Sequence, residues 1–372
     1  MGIIVGLPRT GGSEKDLQLN FGVVVTEQVE MRAPFLPGEW FTQSGVQLTW
    51  PHAATDWAYM LPEVEACFVQ IAREIAKREL LLIVTPQPDE VREQLVANQI
   101  NVSNVRFLIC PTDDTWARDH GAITLMDTCG PSLVDFAFNG WGNKFAAERD
   151  NRITRCAVDA GMLKGTYIDR LDFVLEGGSI ESDGMGTVLT TSHCLLAPHR
   201  NQPMNRIDIE EYLRRSFHLQ RVLWLDHGYL AGDDTDSHID TLARFCSPSV
   251  IAYVQCTDPS DEHYEALLAM EEQLKTFRTL AGEPYRLLPL PMADKIEEDG
   301  ERLPATYANF LILNDAVLYP TYRQPANDRK AKEVLQEAFP TYEIIGIDCC
   351  ALIKQHGSLH CVTMQYPSGV IA

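Results

Sequence analysis

Apolar and polar positions along the chain fall into two rhythms. Short apolar runs, thirteen of them, recur from VQLTWP (46–51) and LLLIVTP (80–86) through TVLTTSHCLLAP (187–198) and NFLILNDAVLYP (309–320) to LHCVTMQ (359–365). They are rich in β-branched and aromatic residues and close on Pro, Gly or Asp, so they predict strands. Five segments instead place apolar residues at helical spacing: 62–80, 88–99, 208–217, 261–281 and 328–339. Strands outnumber helices by more than two to one and arrive in pairs before each helix. That rhythm differs from the strict alternation of a doubly wound sheet and predicts a unit of two or three strands with one helix, repeated around a centre. Five such units in 372 residues average 372/5, about 74 residues each.

Composition narrows the setting. With 45% hydrophobic side chains the chain buries a large core. It has no run of eighteen apolar residues, and its first twenty residues lack the basic-then-apolar order of a secretory leader, so a cytoplasmic protein without membrane association is expected. The formal charge of −21 argues against nucleic acid as a partner and favours small cations. Neither a phosphate-binding glycine loop nor a C-x-x-C pair appears among the ten cysteines, which removes nucleotide cofactors, zinc ribbons and disulfide frameworks from consideration. Assembly into a homo-oligomer stays open.

Four segments gather acids and a histidine at strand ends: PTDDTWARDHGAI (111–123), LEGGSIESDG (175–184), GDDTDSHIDTLARF (232–245) and HGSLHC (356–361). In SHID, an extended backbone would put His238 and Asp240 on one face, suiting either an acid–base group with its orienting partner or two metal ligands. For the metal reading, Asp233, Asp234 and Asp236 suit hard cations better than zinc. If SLHCVTM is likewise extended, His360 and Cys361 face opposite ways, and the base for a nucleophilic Cys361 comes from elsewhere, with His238 the first candidate.

These motifs in this order resemble the agmatine deiminase and bacterial-type peptidylarginine deiminase family of guanidine-modifying enzymes. TWARD (115–119), EGGSI (176–180), DDTDSHIDTLARF (233–245) and HGSLHC carry the resemblance, supported by VQLTWP and by ERLPATYANFLILN (301–314). It implies the pentein fold, a fivefold pseudo-symmetric α/β propeller, over a single catalytic domain at 35–372, with residues 1–34 an N-terminal extension. It also implies Cys361 as nucleophile, His238 as general acid/base, Asp119 and Asp240 as guanidinium-binding acids, Glu176 as a further site acid, and neither metal nor organic cofactor. The expected reaction is hydrolysis of a small cationic guanidine, agmatine to N-carbamoylputrescine and ammonia, through an amidino-cysteine. Asp114, Asp234, Trp116 and Gly357 are the expected substrate-binding residues, the first two near the tail ammonium. The alternatives are a peptidylarginine or free-arginine deiminase, and a non-catalytic pentein that only binds. The chain departs from the family pattern in its nucleophile loop, His356, Gly357, Ser358, Leu359, His360, Cys361, and at Ser237. The loop that typically resembles Gly-Gly-Asn-Ile-His-Cys begins here with His356, and the usual glycine before the catalytic histidine is Ser237.

Overall fold

The computed structural model describes residues 33–372. The N-terminal extension expected over residues 1–34 therefore lies, apart from its last two residues, outside the described part. Strands run in chain order β1 (Gln43–Thr49), β2 (Leu80–Thr85), β3 (Val105–Ile109), β4 (Ile123–Asp127), β5 (Gly130–Ala137), β6 (Thr166–Val174), β7 (Ile180–Ser182), β8 (Thr187–Thr191) and β9 (Arg221–Leu225). They continue as β10 (Ala243–Ser247), β11 (Val250–Gln255), β12 (Arg286–Pro291), the two-residue strands β13 (Glu297–Glu298), β14 (Glu301–Arg302) and β15 (Leu311–Ile312), then β16 (Ala316–Thr321), β17 (Glu343–Asp348) and β18 (Thr363–Pro367).

Apart from the β13–β14 hairpin, the strands form five sheets with one shared plan. The first two strands of each sheet pair antiparallel, and the second pairs parallel with a third beyond a helical crossover: β4–β5–β6, β7–β8–β9, β10–β11–β12, β15–β16–β17 and β18–β1–β2. In the last sheet the C-terminal strand pairs with the first strand of the chain, and β3 adds a fourth member. A parallel pair needs a long crossover, which the helices Leu61–Ala76, Ile153–Asp159, Arg206–Phe217, Tyr264–Thr276 and Pro325–Ala338 supply. The first begins with Pro62 in its first turn and buries Val64, Phe68, Ile71 and Ile75, one stripe at helical spacing. The third of these helices, Arg206–Phe217, starts on a capping box in which Asn205 and Asp208 satisfy each other's backbone N–H groups. Among the described residues no helix is long and apolar enough to cross a membrane.

All five helices expected from periodicity are present. Ile153–Asp159 was not expected, nor were β7 and β10, which are too short or too mixed in polarity to stand out. Both extended backbones assumed around the chemistry are corrected. Residues Ile239–Thr241 form a single helical turn, because Thr235 Oγ1 accepts the His238 N–H at 3.0 Å and Thr241 Oγ1 donates to the His238 carbonyl at 2.8 Å. Side-chain hydroxyls thus outcompete the strand ladder locally. Likewise β18 begins only at Thr363, whose N–H and hydroxyl both close on the His360 carbonyl at 3.0 Å, so His360 and Cys361 sit in a turn.

The repeat positions the chemistry. Asp119 lies in the turn just before β4, Glu176 and Gly178 just before β7, His238 and Asp240 just before β10, Asn309 just before β15, and Cys361 just before β18. Each sheet therefore delivers polar side chains from the entry to its first strand. These entries touch one another: the Arg118 N–H donates to the Cys361 carbonyl at 3.1 Å, and the Gly178 N–H donates to Asp119 Oδ1 at 3.0 Å.

Candidate active site

The five entry turns enclose a buried polar cluster. Cys361, His238, Asp119 and Asp240 are each at most 5% exposed. Gly178 supplies the clearance for three of them. A β-carbon there would stand 2.7 Å from His238 Nδ1, 2.8 Å from Asp119 Oδ1 and 3.1 Å from Asp240 Oδ2, closer than side chains tolerate. His238 and Asp240 do converge as expected, through a helical turn in place of a strand.

Each acid is held from behind. Asp119 accepts the Trp141 indole N–H on Oδ2 at 2.9 Å and lies 3.6 Å from His238 Nδ1 through Oδ1. Asp240 Oδ2 is 2.8 Å from His360 Nδ1, and His360 Nε2 is 2.9 Å from Glu39 Oε2. Glu39 also pairs with the buried Arg244, which in turn pairs with Glu181. His360 therefore orients Asp240 and faces away from the thiol. Asn309 fixes the turn that carries Cys361, its Oδ1 accepting from the His360 N–H at 2.8 Å, the Cys361 N–H at 3.3 Å and the Cys361 Sγ at 3.4 Å. Two buried polar atoms of the cluster, His238 Nε2 and Asp240 Oδ1, have no hydrogen-bond partner among the described residues.

Electrostatics sets the resting protonation. Burial, followed by the charges of Asp240 and Asp119, pushes the Cys361 thiol well above its usual range. Burial opposes a charged His238, but Asp119, Cys194 and Glu176 outweigh it and raise the ring to about 10. Burial raises Asp119 to about 6 against the pull of His238, with Asp240 and Glu176 adding to the rise. Burial would raise Asp240 too, yet the hydrogen bond and charge of His360, with His238 and Arg244, hold it below the usual carboxylate range. At neutral pH the cluster is a thiol and an imidazolium beside two carboxylates.

A cavity of about 140 Å3 opens onto Cys361 and Asp119. Trp116, Trp141 and Phe145 wall it, with Trp116 and Trp141 edge-to-face at 6.2 Å, and Gly357 lies against Trp116. Asp56, Asp114, Asp234 and His356 line it as well, and no Lys or Arg is among its described lining residues. Phe145 is 43% exposed, and the side chains of Asp234 and His356 are 41% and 30% exposed, so these residues mark the mouth and Cys361 the floor. Asp114 is spoken for, taking N–H groups from Trp57 at 3.0 Å, Trp116 at 2.9 Å and Thr115 at 2.8 Å; burial raises it to about 6.

Of the residues singled out from sequence, Cys361, Asp119, Asp114, Asp234, Trp116 and Gly357 line the cavity. His238 and Asp240 stand beside Asp119 at its floor. Glu176 is behind them, fully buried and paired with Arg200 Nε at 3.0 Å. It forms a triangle with Cys194 and His238 whose ligand-type atoms lie within 4.8 Å of one another. A guanidinium already occupies the carboxylate of that triangle, and Arg244 does the same in the second one, Glu39–Glu181–His360, which disfavours a metal at either. Asp233 spends its carboxylate capping the turn at Thr235 and Ser237. Sequence reasoning did not find Trp141, Asn309, His360, Asp56 or Cys194. Asn309 and His360 lay inside quoted motifs without a role assigned to them, whereas the others read as ordinary core or surface residues.

The model of the Porphyromonas-type peptidyl-arginine deiminases matches residues 35–367. A provisionally named agmatine deiminase from Marinomonas sp. (strain MWYL1) is 32% identical over 356 residues, covering 89% of this chain and 94% of its own. Among solved structures, a provisionally named arginine deiminase from Porphyromonas gingivalis is 55% identical with a TM-score of 0.86, covering 91% of this chain and 99% of its own. A cysteine-to-serine form of C. jejuni agmatine deiminase with substrate bound is 36% identical with a TM-score of 0.83, covering 91% and 97%.

Proposed function

The chain belongs to the Porphyromonas-type peptidyl-arginine deiminase family, a pentein-fold hydrolase acting on amidine carbons, and from that premise we propose that it deiminates agmatine. One observation carries the choice of substrate. The cavity over Cys361 is lined by Asp56, Asp114, Asp119 and Asp234 and by no described Lys or Arg, and Lys144 beside Asp234 is held on the Asp234 carbonyl at 2.6 Å and on Asp236 at 2.9 Å, so a terminal ammonium finds more partners there than an α-carboxylate does.

The guanidinium sits between Asp119 and Asp240, whose unpartnered Oδ1 accepts one of its N–H groups. The bound cation offsets the two carboxylates that hold the Cys361 thiol protonated, so substrate binding itself lowers the thiol pKa and releases its proton to solvent. His238, already charged, is not the base in this step. The thiolate adds to the guanidinium carbon. The tetrahedral adduct collapses as His238 gives its proton to the departing nitrogen, which leaves as ammonia. Neutral His238 then takes a proton from water, and the hydroxide adds to the amidino-thioether carbon. Collapse breaks the C–S bond, giving N-carbamoylputrescine and free Cys361. A substrate-bound relative with a cysteine replaced by serine is in keeping with this role for the thiol.

The test is ammonia release from agmatine, free arginine and an arginine-containing peptide, with wild type and Cys361→Ser. Agmatine should exceed free arginine in kcat/KM by about a hundredfold or more, the effect of one unpaired charge in a desolvated site. Cys361→Ser should be folded and inactive. A preference for the peptide would transfer the reading to peptidyl-arginine, and an active Cys361→Ser would end it.

A further inference from the structure

His356 is a residue out of pattern at the cavity mouth. Its backbone has φ +63°, the left-handed region that a side chain with a β-carbon adopts only at a cost. The pattern this loop resembles has glycine there. Held in that conformation, the ring lines the cavity beside Asp234, with Nδ1 3.9 Å from Asp234 Oδ2. Nδ1 is 2.6 Å from the Gly232 carbonyl oxygen, which can only accept, so Nδ1 carries the hydrogen. In the neutral ring the lone pair is then on Nε2, which takes no partner among the described residues. The same contact ties the nucleophile loop to the 232–236 loop and orients the ring.

We propose that His356 is a specificity-determining residue that accepts an N–H of the substrate's tail cation through Nε2. This rests on the agmatine reading. The three N–H donors on Asp114 leave Asp56, Asp234 and His356 as lining acceptors with spare capacity, and of these His356 is the one fixed by a bond to the 232–236 loop. A neutral acceptor there selects a primary ammonium over a plain alkyl tail.

Two full-length variants test it, His356→Gly, which relieves the left-handed backbone, and His356→Asn. Asn tolerates that backbone and offers both a donor for Gly232 and an acceptor. Steady-state kinetics are measured on agmatine and on n-butylguanidine, the same chain without its ammonium. His356→Gly should raise KM for agmatine about tenfold, the loss of one such contact, with kcat within about twofold. The KM change on n-butylguanidine should be at least about fivefold smaller, and His356→Asn should restore most of the agmatine affinity. An equal KM rise on both substrates, or a fall in kcat alone, would make His356 a loop support and overturn the proposal. If the wild type itself fails to prefer agmatine over n-butylguanidine, the ammonium-tail reading fails with it. A preserved wild-type preference that His356→Gly leaves intact sinks only the role of His356.

Discussion

Gly357 lies so close to Trp116 that a β-carbon added to it would stand 2.0 Å from the indole Cζ3. The loop that carries Cys361 and the aromatic wall are therefore one packed unit. Gly357→Ala should push Trp116 or the loop aside, lowering kcat/KM by about a hundredfold, the scale on which an ångström of misplacement acts. Circular dichroism should stay native. Near-wild-type kinetics would show that the wall is not needed.

The pH profile of kcat/KM should be bell-shaped. Guanidinium binding needs Asp119 ionised, so activity should fall as pH drops through about 6. Ammonia departure needs protonated His238, so activity should fall as pH rises through about 10. His238 also bears on stability. Its folded-state value is raised above the ordinary 6.5, so its contribution is complete below that value and is lost as pH climbs through about 10. A flat profile between pH 5 and 11 would contradict both assignments.

Trp141→Phe removes the indole N–H that Asp119 accepts while keeping an aromatic ring against Trp116, Phe138 and Phe145. A hydrogen bond to a charged group contributes about 1.5–3 kcal/mol, so kcat/KM should fall roughly ten- to hundredfold with little change in melting temperature. Unaltered kinetics would make the bond incidental.

Arg200→Met leaves Glu176 buried without its guanidinium. Breaking a buried pair from one side costs about 3–5 kcal/mol, and urea titration should show a loss of that size. A loss below about 1 kcal/mol would mean that water reaches Glu176.

Chelation should leave activity intact. Both clusters with metal-type spacing have their carboxylates committed to Arg200 or Arg244. Inhibition by EDTA that a divalent ion reverses would reinstate a metal at Glu176, Cys194 and His238.

Two of the departures noted in the sequence acquire a structural meaning. Ser237 and His356 both have positive φ, +67° and +63°. Glycine is the residue for which that conformation is free, so its usual presence at both positions reflects backbone geometry. Here the strain is borne by side chains, one of which faces the cavity.

By itself the sequence determined the strand–helix rhythm, four of the five crossover helices and the four polar motifs, because periodicity and turn chemistry are local and survive without knowledge of neighbours. The resemblance of those motifs to a known family also singled out Cys361, His238, Asp119 and Asp240. The tertiary structure alone decided how they meet. Five strand entries far apart in the chain converge, so Asn309 reaches Cys361 and Trp141 reaches Asp119. His360 was legible as a neighbour of the thiol, but its bond to Asp240, 120 positions away, was not. Nor were the protonation states, since burial and the charges of residues distant in sequence set them, and neither is written in any local pattern.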